Sequence, residues 1–380
     1  MKKGWQTKTL GEICDIERGG SPRPIQDFIT TDPNGINWIK IGDATASGKY
    51  IYKTEEKIKP EGVKRSRMVY EGDFILSNSM SFGRPYIMKT TGCIHDGWLV
   101  LHQPKVDPDY LYHALSSDLV FDQFDRLAAG STVRNLNIGL AKSVEIPYPP
   151  LAEQQRIVGL LDEAFEGLAT AKANAEKNLQ NARALFESHL QSVFTQRGPG
   201  WVETTLDKIS TNLDNKRVPI TKNVRTSGEY PYYGASGIVD YVGDYIFEGA
   251  NLLVSEDGAN LLARSTPIAF SVSGKYWVNN HAHILHFENM ATQRFAEFYL
   301  ESIKLDDYIT GAAQPKLNQK ALNSILIPIP KSVETQAKIV ESVESLQEET
   351  QRLARLYERK HAALEALKKS LLHQAFTGAL

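Results

Sequence analysis

Two stretches of the chain, residues 151 to 195 and 332 to 376, contain no proline and carry apolar side chains at helical spacing. The first has Ile157, Leu160, Leu161, Ala164 and Leu168; the second has Ile339, Val343, Leu346, Leu353, Leu356 and Leu364. Arg, Lys and Glu fill the positions between, so each stretch predicts a long amphipathic helix, roughly 65 Å from end to end at 1.5 Å per residue. A helix of that length needs a partner along its apolar stripe. Its own duplicate is the nearest one, which predicts an antiparallel intramolecular coiled coil; two helices that each dimerise between chains are the alternative. Prolines 147, 149, 150, 328 and 330 stop the strands before the helices, and Gly198-Pro199-Gly200 separates the first helix from the second globular segment.

The remaining sequence has a different rhythm. Residues 1 to 150 and 198 to 331 alternate short apolar runs, such as Trp38-Ile39-Lys40-Ile41, Phe74-Ile75-Leu76 and Ile268-Ala269-Phe270, with Gly, Pro, Asn and Asp. These are strand and turn signals, interrupted by helical patches over residues 108 to 119 and 292 to 303. The pattern predicts two α+β domains.

The two halves also match each other. Gly4-Trp5, Thr9-Leu10 and Ile13 recur as Gly200-Trp201, Thr205-Leu206 and Ile209, and Glu71-Gly72 with Ile75-Leu76-Ser77 recurs as Glu248-Gly249 with Leu252 to Ser255, one residue longer. Gly130, Leu136-Asn137 and Ile146-Pro147-x-Pro149 recur as Gly311, Leu317-Asn318 and Ile327-Pro328-x-Pro330. Glu153, Gln155 and Ile157-Val158 match Glu334, Gln336 and Ile339-Val340, and Ser188, Leu190 and Phe194-Thr195 match Ser370, Leu372 and Phe376-Thr377. Order is kept while the spacing drifts, so one scaffold occurs twice with different loops. A solenoid would have held a short constant period.

Composition narrows the class. The 380 residues are 42% hydrophobic and 23% charged, ordinary values for a globular protein that can bury real cores. No run approaches 18 apolar residues and no apolar segment follows the opening lysines, which predicts neither a membrane span nor a signal peptide and places the chain in the cytoplasm. Cys14 and Cys93, far apart, read as packing residues of a reducing compartment. A formal charge of −2 argues mildly against an independent nucleic-acid binder, though not against one that grips locally or shares its phosphate contacts with partners.

Catalytic constellations are not found. Ser273-Gly274-Lys275 lacks the earlier glycine of a phosphate loop, no G-x-G-x-x-G follows a strand, and Ile146-Pro147-Tyr148-Pro149-Pro150 has no Asn or Asp before its prolines as adenine methyltransferases require. In His281-x-His283-x-x-His286, alternation would put His281 and His283 on one face of a strand. With no Cys or acidic partner at ligand spacing nearby, surface or packing histidines are preferred to a zinc site, and no metal is assigned. Ser255-Glu256-Asp257-Gly258 reads as a turn.

Gly19-Gly20-Ser21-Pro22 followed by Asn37-Trp38-Ile39-Lys40-Ile41-Gly42-Asp43, and in the second copy Tyr230-Pro231-Tyr232-Tyr233-Gly234-Ala235-Ser236-Gly237-Ile238, resemble the target-recognition domains of type I restriction-modification specificity subunits. Asn280-His281-Ala282-His283, Gln314-Pro315-Lys316-Leu317-Asn318, the Ile-Pro-x-Pro tracts and Pro149-Pro150-Leu151-Ala152-Glu153-Gln154-Gln155-Arg156-Ile157-Val158 carry the same resemblance, which covers essentially the whole chain. It implies target-recognition domains at 1–150 and 198–331, separated by two long antiparallel helices at 151–197 and 332–380. It also implies a non-catalytic DNA reader that directs partner methyltransferase subunits, two of them, and restriction subunits to a bipartite asymmetric target, with helix length fixing the gap. S-adenosylmethionine, ATP and magnesium would belong to those partners, and none to this chain. The second helix start carries one residue more than the first, so the two docking surfaces need not be equivalent.

For DNA contact the candidates are Lys64, Arg65, Arg67 and Arg84, the last near Ser79-Met80-Ser81-Phe82-Gly83, and in the second domain Lys216, Arg217, Lys222, Arg225, Lys275 and Tyr276. For partner docking they are Gln154, Arg156, Gln336 and Lys338, near the helix ends. The other reading, which near-neutral charge permits, is a protein- or peptide-binding coiled-coil scaffold with duplicated globular heads.

Overall fold

The computed structural model describes residues 4–78, 83–128, 136–311 and 313–380. Residues 79–82 beside Arg84, and Gly130 of the repeat, lie outside them. The chain forms two compact units, Met1–Ala175 with Arg359–Leu380, and Glu176–Glu358.

In the first unit a five-stranded sheet runs in the order Asp15–Arg18, Trp98–His102, Phe74–Ser77, Pro85–Met88, Tyr50–Ile51. Both faces are covered, and Phe74, Leu76, Leu99 and Leu101 on one face join Tyr110, Leu111 and Phe124 in the main core. A second five-stranded sheet contains the parallel pair Ile36–Ile39 and Gly92–Ile94, and the domain is closed by an antiparallel pair of its first and last strands, Gln6–Thr9 and Glu145–Tyr148.

The second unit repeats this plan. Its four-stranded sheet has the order Thr211–Asn212, Ala282–His286, Asn251–Ser255, Ala269–Val272. A second sheet again holds a parallel pair, Ser227–Gly234 with Lys275–Val278, and Trp201–Thr205 closes on Leu326–Pro330. The registers correspond: Ser77 opposite Trp98 matches Ser255 opposite Ala282. Equivalent tertiary hydrogen bonds accompany them. The Leu136 N–H donates to the Asn78 carbonyl at 3.0 Å, and the Leu317 N–H to the Glu256 carbonyl at 2.8 Å. The pair of Asp73 and His102 (2.8 Å) becomes Asn251 and His286 (3.0 Å).

The two proline-free stretches are single helices, Leu151–Thr195 and Val333–Thr377. Within the first unit they run antiparallel: Phe165 meets Lys368 and, two turns on, Lys172 meets Glu365 at 2.9 Å. In the second unit Leu190 and Phe194 of one helix share a core with Val340 and Val343 of the other. Leu161 is buried, whereas its neighbour Leu160, and Leu356 on the other helix, are exposed. Successive helical residues point about 100° apart, so a contact stripe takes one of two adjacent leucines. Among the described residues no helix is long and apolar enough to cross a membrane.

Several local expectations shift. The Lys40-Ile41 end of the first apolar run leaves the strand: Asp43 accepts the Lys40 N–H at 2.8 Å and a short helix, Ile41–Thr45, begins there. The patch at 108 to 119 is the helix Pro108–Leu115, N-capped by Asp107, and a second helix, Asp118–Ala128, starts after the turn at Ser116 and Ser117. The extra residue of the second copy falls before the helix's first turn, so Gln336 corresponds to Gln154 rather than to Gln155. Both glutamines donate from Nε2 to the last proline carbonyl of their own domain's closing tract, Pro149 and Pro330, which fixes that equivalence.

Candidate nucleic-acid interface

In the first unit the segment after strand Asp15–Arg18 is pressed against the loop that precedes strand Trp98–His102. The Gly19 N–H donates to the Trp98 carbonyl (2.9 Å) and the Gly20 N–H to the Ile94 carbonyl (3.1 Å). A Cβ on Gly19 would lie 2.0 Å from the His95 carbonyl oxygen, and one on Gly20 2.9 Å from that of Arg65, so only glycine permits the approach. Asp96 is the hub. Its carboxylate accepts from Ser21 Oγ (2.6 Å) and pairs with Arg23 (3.3 Å), while its carbonyl accepts from Arg18 Nε (3.0 Å) and Asn78 Nδ2 (2.9 Å). The Ser21 hydroxyl bond, chiefly, holds the Asp96 carboxyl below its usual range, with Arg23 adding to it. His95 Nδ1 accepts the Gly97 N–H, and burial pushes that imidazole down.

Lys64 and Arg65 end the short helix Pro60–Arg65 and are exposed, with the Arg65 guanidinium 6.0 Å from the Phe28 ring. Arg67 is also exposed but is paired with Glu17 at 3.2 Å. The Arg65 backbone abuts Gly20, which brings these cations to the corner that carries Arg18 and Arg23. Arg84 is elsewhere, over the Tyr86 ring in a cleft lined by Tyr112, His113, Phe165 and Lys368. Arg18 and Arg23 escape a reading of the sequence alone; the Gly-Gly-Ser-Pro tract that ends one residue before Arg23 is the available signal.

The matching corner of the second unit is rebuilt from other residues. His283 is buried, with Nδ1 2.5 Å from Asp214 and Nε2 2.7 Å from the Leu317 carbonyl. Arg217 reaches Glu256 (2.6 Å), the Ala282 carbonyl (2.8 Å) and Asp214 (3.5 Å), and Lys316 pairs with Glu256 at 3.1 Å. Burial alone would raise the Asp214 and Glu256 carboxyls; His283 and Ile284 N–H at the former, and Arg217, His283 and Lys316 at the latter, hold both below their usual range. The expectation that His281 and His283 share a strand face is corrected. The strand begins at Ala282, and His281 is exposed against Asp257 at 2.9 Å. No acid has ligand spacing to His283 along the chain, and the two that stand beside it, Asp214 and Glu256, come from distant segments. Asp214, Glu256 and His283 are close enough to hold a cation, yet both His283 nitrogens are already bonded and two side-chain cations occupy the carboxylates.

Of the other candidates, Lys216 and Lys222 are exposed. Arg225 is largely covered, held by Asp240 (3.0 Å) and the Ile220 carbonyl (3.0 Å) over the Tyr232 ring. Lys275 is exposed with its ammonium 4.5 Å from the Tyr245 ring centre, and hydrogen bonding to that tyrosine raises it above the usual range. Tyr276 is a core residue: it is fully buried and its hydroxyl accepts from Asn251 Nδ2 at 2.5 Å. Alternation along strand Lys275–Val278 turns one of these neighbours out and the next in.

Gln154 and Gln336 are buried as well. Gln154 Nε2 donates to the Pro149 carbonyl (2.8 Å) and its Oε1 accepts the Asp107 N–H (2.9 Å). Gln336 Nε2 donates to the Pro330 carbonyl (2.7 Å) and its Oε1 accepts from Thr292 Oγ1 (2.6 Å). Each amide ties the first turn of a long helix to its own domain. Arg156 is exposed, bonded to Glu153 and to the Leu380 carbonyl (3.0 Å), and Lys338 is exposed and paired with Glu334.

A family model, the type I restriction modification DNA specificity domain, matches residues 2–179 and 199–358. The chain belongs to this family. The two matched segments are the two copies of the repeat, so the duplicated sheets are two specificity domains. A putative type I restriction enzyme specificity subunit of Haemophilus influenzae is 34% identical over 173 residues, which is 45% of this chain and 43% of that protein. The MjaIX specificity subunit of Methanocaldococcus jannaschii is 28% identical over 50% of this chain and 44% of its own length. The chain thus aligns with less than half of these two relatives. A putative MjaX specificity subunit of the same organism is 23% identical over 100% of this chain and 94% of its own. The fold is shared with a chain solved in work on assembly and conformational transition of the type I restriction-modification system (TM-score 0.81, 19% identity, 100% and 99% of the two chains), and with the HsdS subunit of Thermoanaerobacter tengcongensis (TM-score 0.65, 19% identity, 100% and 98%).

Proposed function

We propose that this specificity-domain chain is the DNA-recognition subunit of a type I restriction-modification complex, reading a bipartite asymmetric target and performing no chemistry itself. One observation carries the reading. The two domains keep the same strand order and register while the corner after the first sheet strand is built differently, around Asp96 and exposed arginines in one and around buried His283 in the other. A shared mount with unlike loops is what two readers of two different half-sites require.

In this reading residues 1–150 and 198–331 are the reading domains, and residues 151–197 and 332–380 the helical segments that carry partners. Exposed cations supply local phosphate contact: Lys64, Arg65 and Arg67 in the first domain, Lys216, Lys222 and Lys275 in the second. Arg217 and Arg225 hold the loops that present them. Methyltransferase subunits, two per chain, dock near Arg156 and Lys338 and on leucines the helices leave exposed, Leu160, Leu185, Leu356 and Leu367. Restriction subunits join that complex, and S-adenosylmethionine, ATP and magnesium bind the partners. The complex works in the cytoplasm, where the DNA is.

The test is to produce the chain with its methyltransferase partner and map methylated adenines across a genome. A two-part motif with unlike halves is expected. Methylation without sequence preference, or methylation that does not need this chain, overturns the reading.

A further inference from the structure

Arg23 combines two properties that usually exclude each other. Its side chain is 80% exposed, yet its guanidinium is tied to a carboxylate that is itself fixed. Asp96 cannot swing, because Ser21 Oγ holds the carboxylate while Arg18 and Asn78 hold the carbonyl of the same residue. Asn78 is 1% exposed and anchors the hub to the sheet. The arm between Arg23 and the sheet is equally constrained, since Gly19 and Gly20 are packed against the His95 and Arg65 carbonyls too closely for any side chain. Arg23 also lines a cleft with Trp38, Lys40 and His95.

A cation that serves only to attract phosphate gains nothing from such a mount. Pairing with Asp96 cancels part of its long-range pull, and a phosphate, with equivalent oxygens around one phosphorus, meets a fork over a wider range of directions than a base edge does. A fork that must meet two acceptors on one base edge gains a great deal, because orientation is what it has to supply. Only one nitrogen faces Asp96, which leaves the other donors of the guanidinium for an outside partner. Arg65 and Lys64, exposed at the same corner with no carboxylate on them among the described residues, have the opposite character and suit the phosphates alongside. The corresponding corner of the second unit offers no such fork among its described residues, for Arg217 there is turned inward on Glu256 and Asp214.

We infer that Arg23 is a specificity-determining residue of the first domain, donating in bidentate fashion to O6 and N7 of one guanine in the major groove, with Asp96 as the positioning residue. The inference rests on the proposed function and adds to it the base and the residue that reads it.

The experiment uses the chain assembled with its methyltransferase partner and maps methylated adenines for the unaltered complex and for Arg23→Ala, Arg23→Lys and Asp96→Asn, with melting curves to confirm that each variant is folded. If the unaltered complex yields no sequence motif, the proposed function itself fails. Given a motif, Arg23→Ala should relax one guanine position in one half-site by on the order of tenfold to a hundredfold and leave the other half unchanged. Arg23→Lys keeps the charge but loses the fork, and should relax the same position. Asp96→Asn should relax that position by a smaller factor. An unchanged motif in both Arg23 variants overturns the inference, and so does a uniform fall in methylation with every base still required, which would mark a phosphate contact or a structural role.

Discussion

His283 Nδ1 lies 2.5 Å from Asp214 in the second domain, at the sheet position that Leu99 fills in the first. One apolar side chain of an otherwise apolar strand pair has thus been replaced by a member of a buried ionic cluster without change of register. Such a cluster is costly to break from one side. Asp214 also accepts the Ile284 N–H (2.9 Å) and faces Arg217. Asp214→Ala should therefore destabilise the second domain by about 3–5 kcal/mol, because His283 is left buried without the carboxylate at 2.5 Å and Arg217 keeps only Glu256 of its two. Denaturant titration measures this, and a loss below about 1 kcal/mol, the scale of an exposed ion pair, would mean that other groups hold the corner.

The same cluster sets an acid limit. Asp214 and Glu256 sit below their ordinary values of 3.8 and 4.5 in the folded protein, so each contributes stability that is fully present above its ordinary value and is lost as pH falls through the lowered one. The advantage of the parent over Asp214→Asn should be constant from neutral pH down to about 5 and then shrink as pH falls below about 4. Melting temperatures of the two proteins from about pH 7 to about pH 3, a range that brackets the carboxylate titration, test it; a gap that widens on acidification would reverse the assignment.

Gln154 and Gln336 predict stability effects rather than docking effects. Each amide spends both ends on its own domain, so truncation leaves backbone or hydroxyl groups unpaired at a buried helix start. Gln154→Ala and Gln336→Ala should each cost about 1–3 kcal/mol, and because they share no partner the double variant should cost close to the sum. Partner retention measured on the folded fraction should be unaltered. The exposed leucines behave oppositely: Leu160→Gln with Leu367→Gln should shift stability by no more than about 0.5 kcal/mol while weakening retention of the methyltransferase subunit in a pull-down. Retention equal to the parent's would remove this face from the docking model.

The long helices and the duplication are legible in the sequence because each rests on many residues in one order: two proline-free stretches with a helical stripe, and matched tracts from Gly4-Trp5 to Phe376-Thr377. The site is legible only in part. Asp214, Glu256 and His283 lie on three separate segments, and no spacing along the chain announces a cluster made by sheet register. Tyr276 as a DNA contact fails for a different reason, as alternation next to an exposed Lys275 already assigns it to the core. Gln154 resembles a docking residue because polar side chains in a first helical turn usually face solvent, and only the fold brings Asp107 and Pro149 to it. Charge pairing is equally invisible: Arg67 and Arg217 look like Lys64 in sequence, but Glu17 and Glu256 neutralise them in space.

That neutralisation separates the cations of the first domain by effect on salt dependence. Each phosphate-bound cation removed should reduce the slope of log affinity against log salt by about 0.9. Lys64→Ala and Arg65→Ala remove exposed charges that have no carboxylate partner among the described residues, so each should approach that value if it touches the backbone. Arg67 is paired through Nε with Glu17, 3.2 Å away, which cancels part of its charge, and removing it frees a carboxylate that repels the duplex. Arg67→Ala should therefore weaken binding while changing the slope less than either neighbour does. Titrating the assembled complex with target DNA from low to moderate salt distinguishes them, and three equal slopes would show that the Glu17 pair does not persist on DNA.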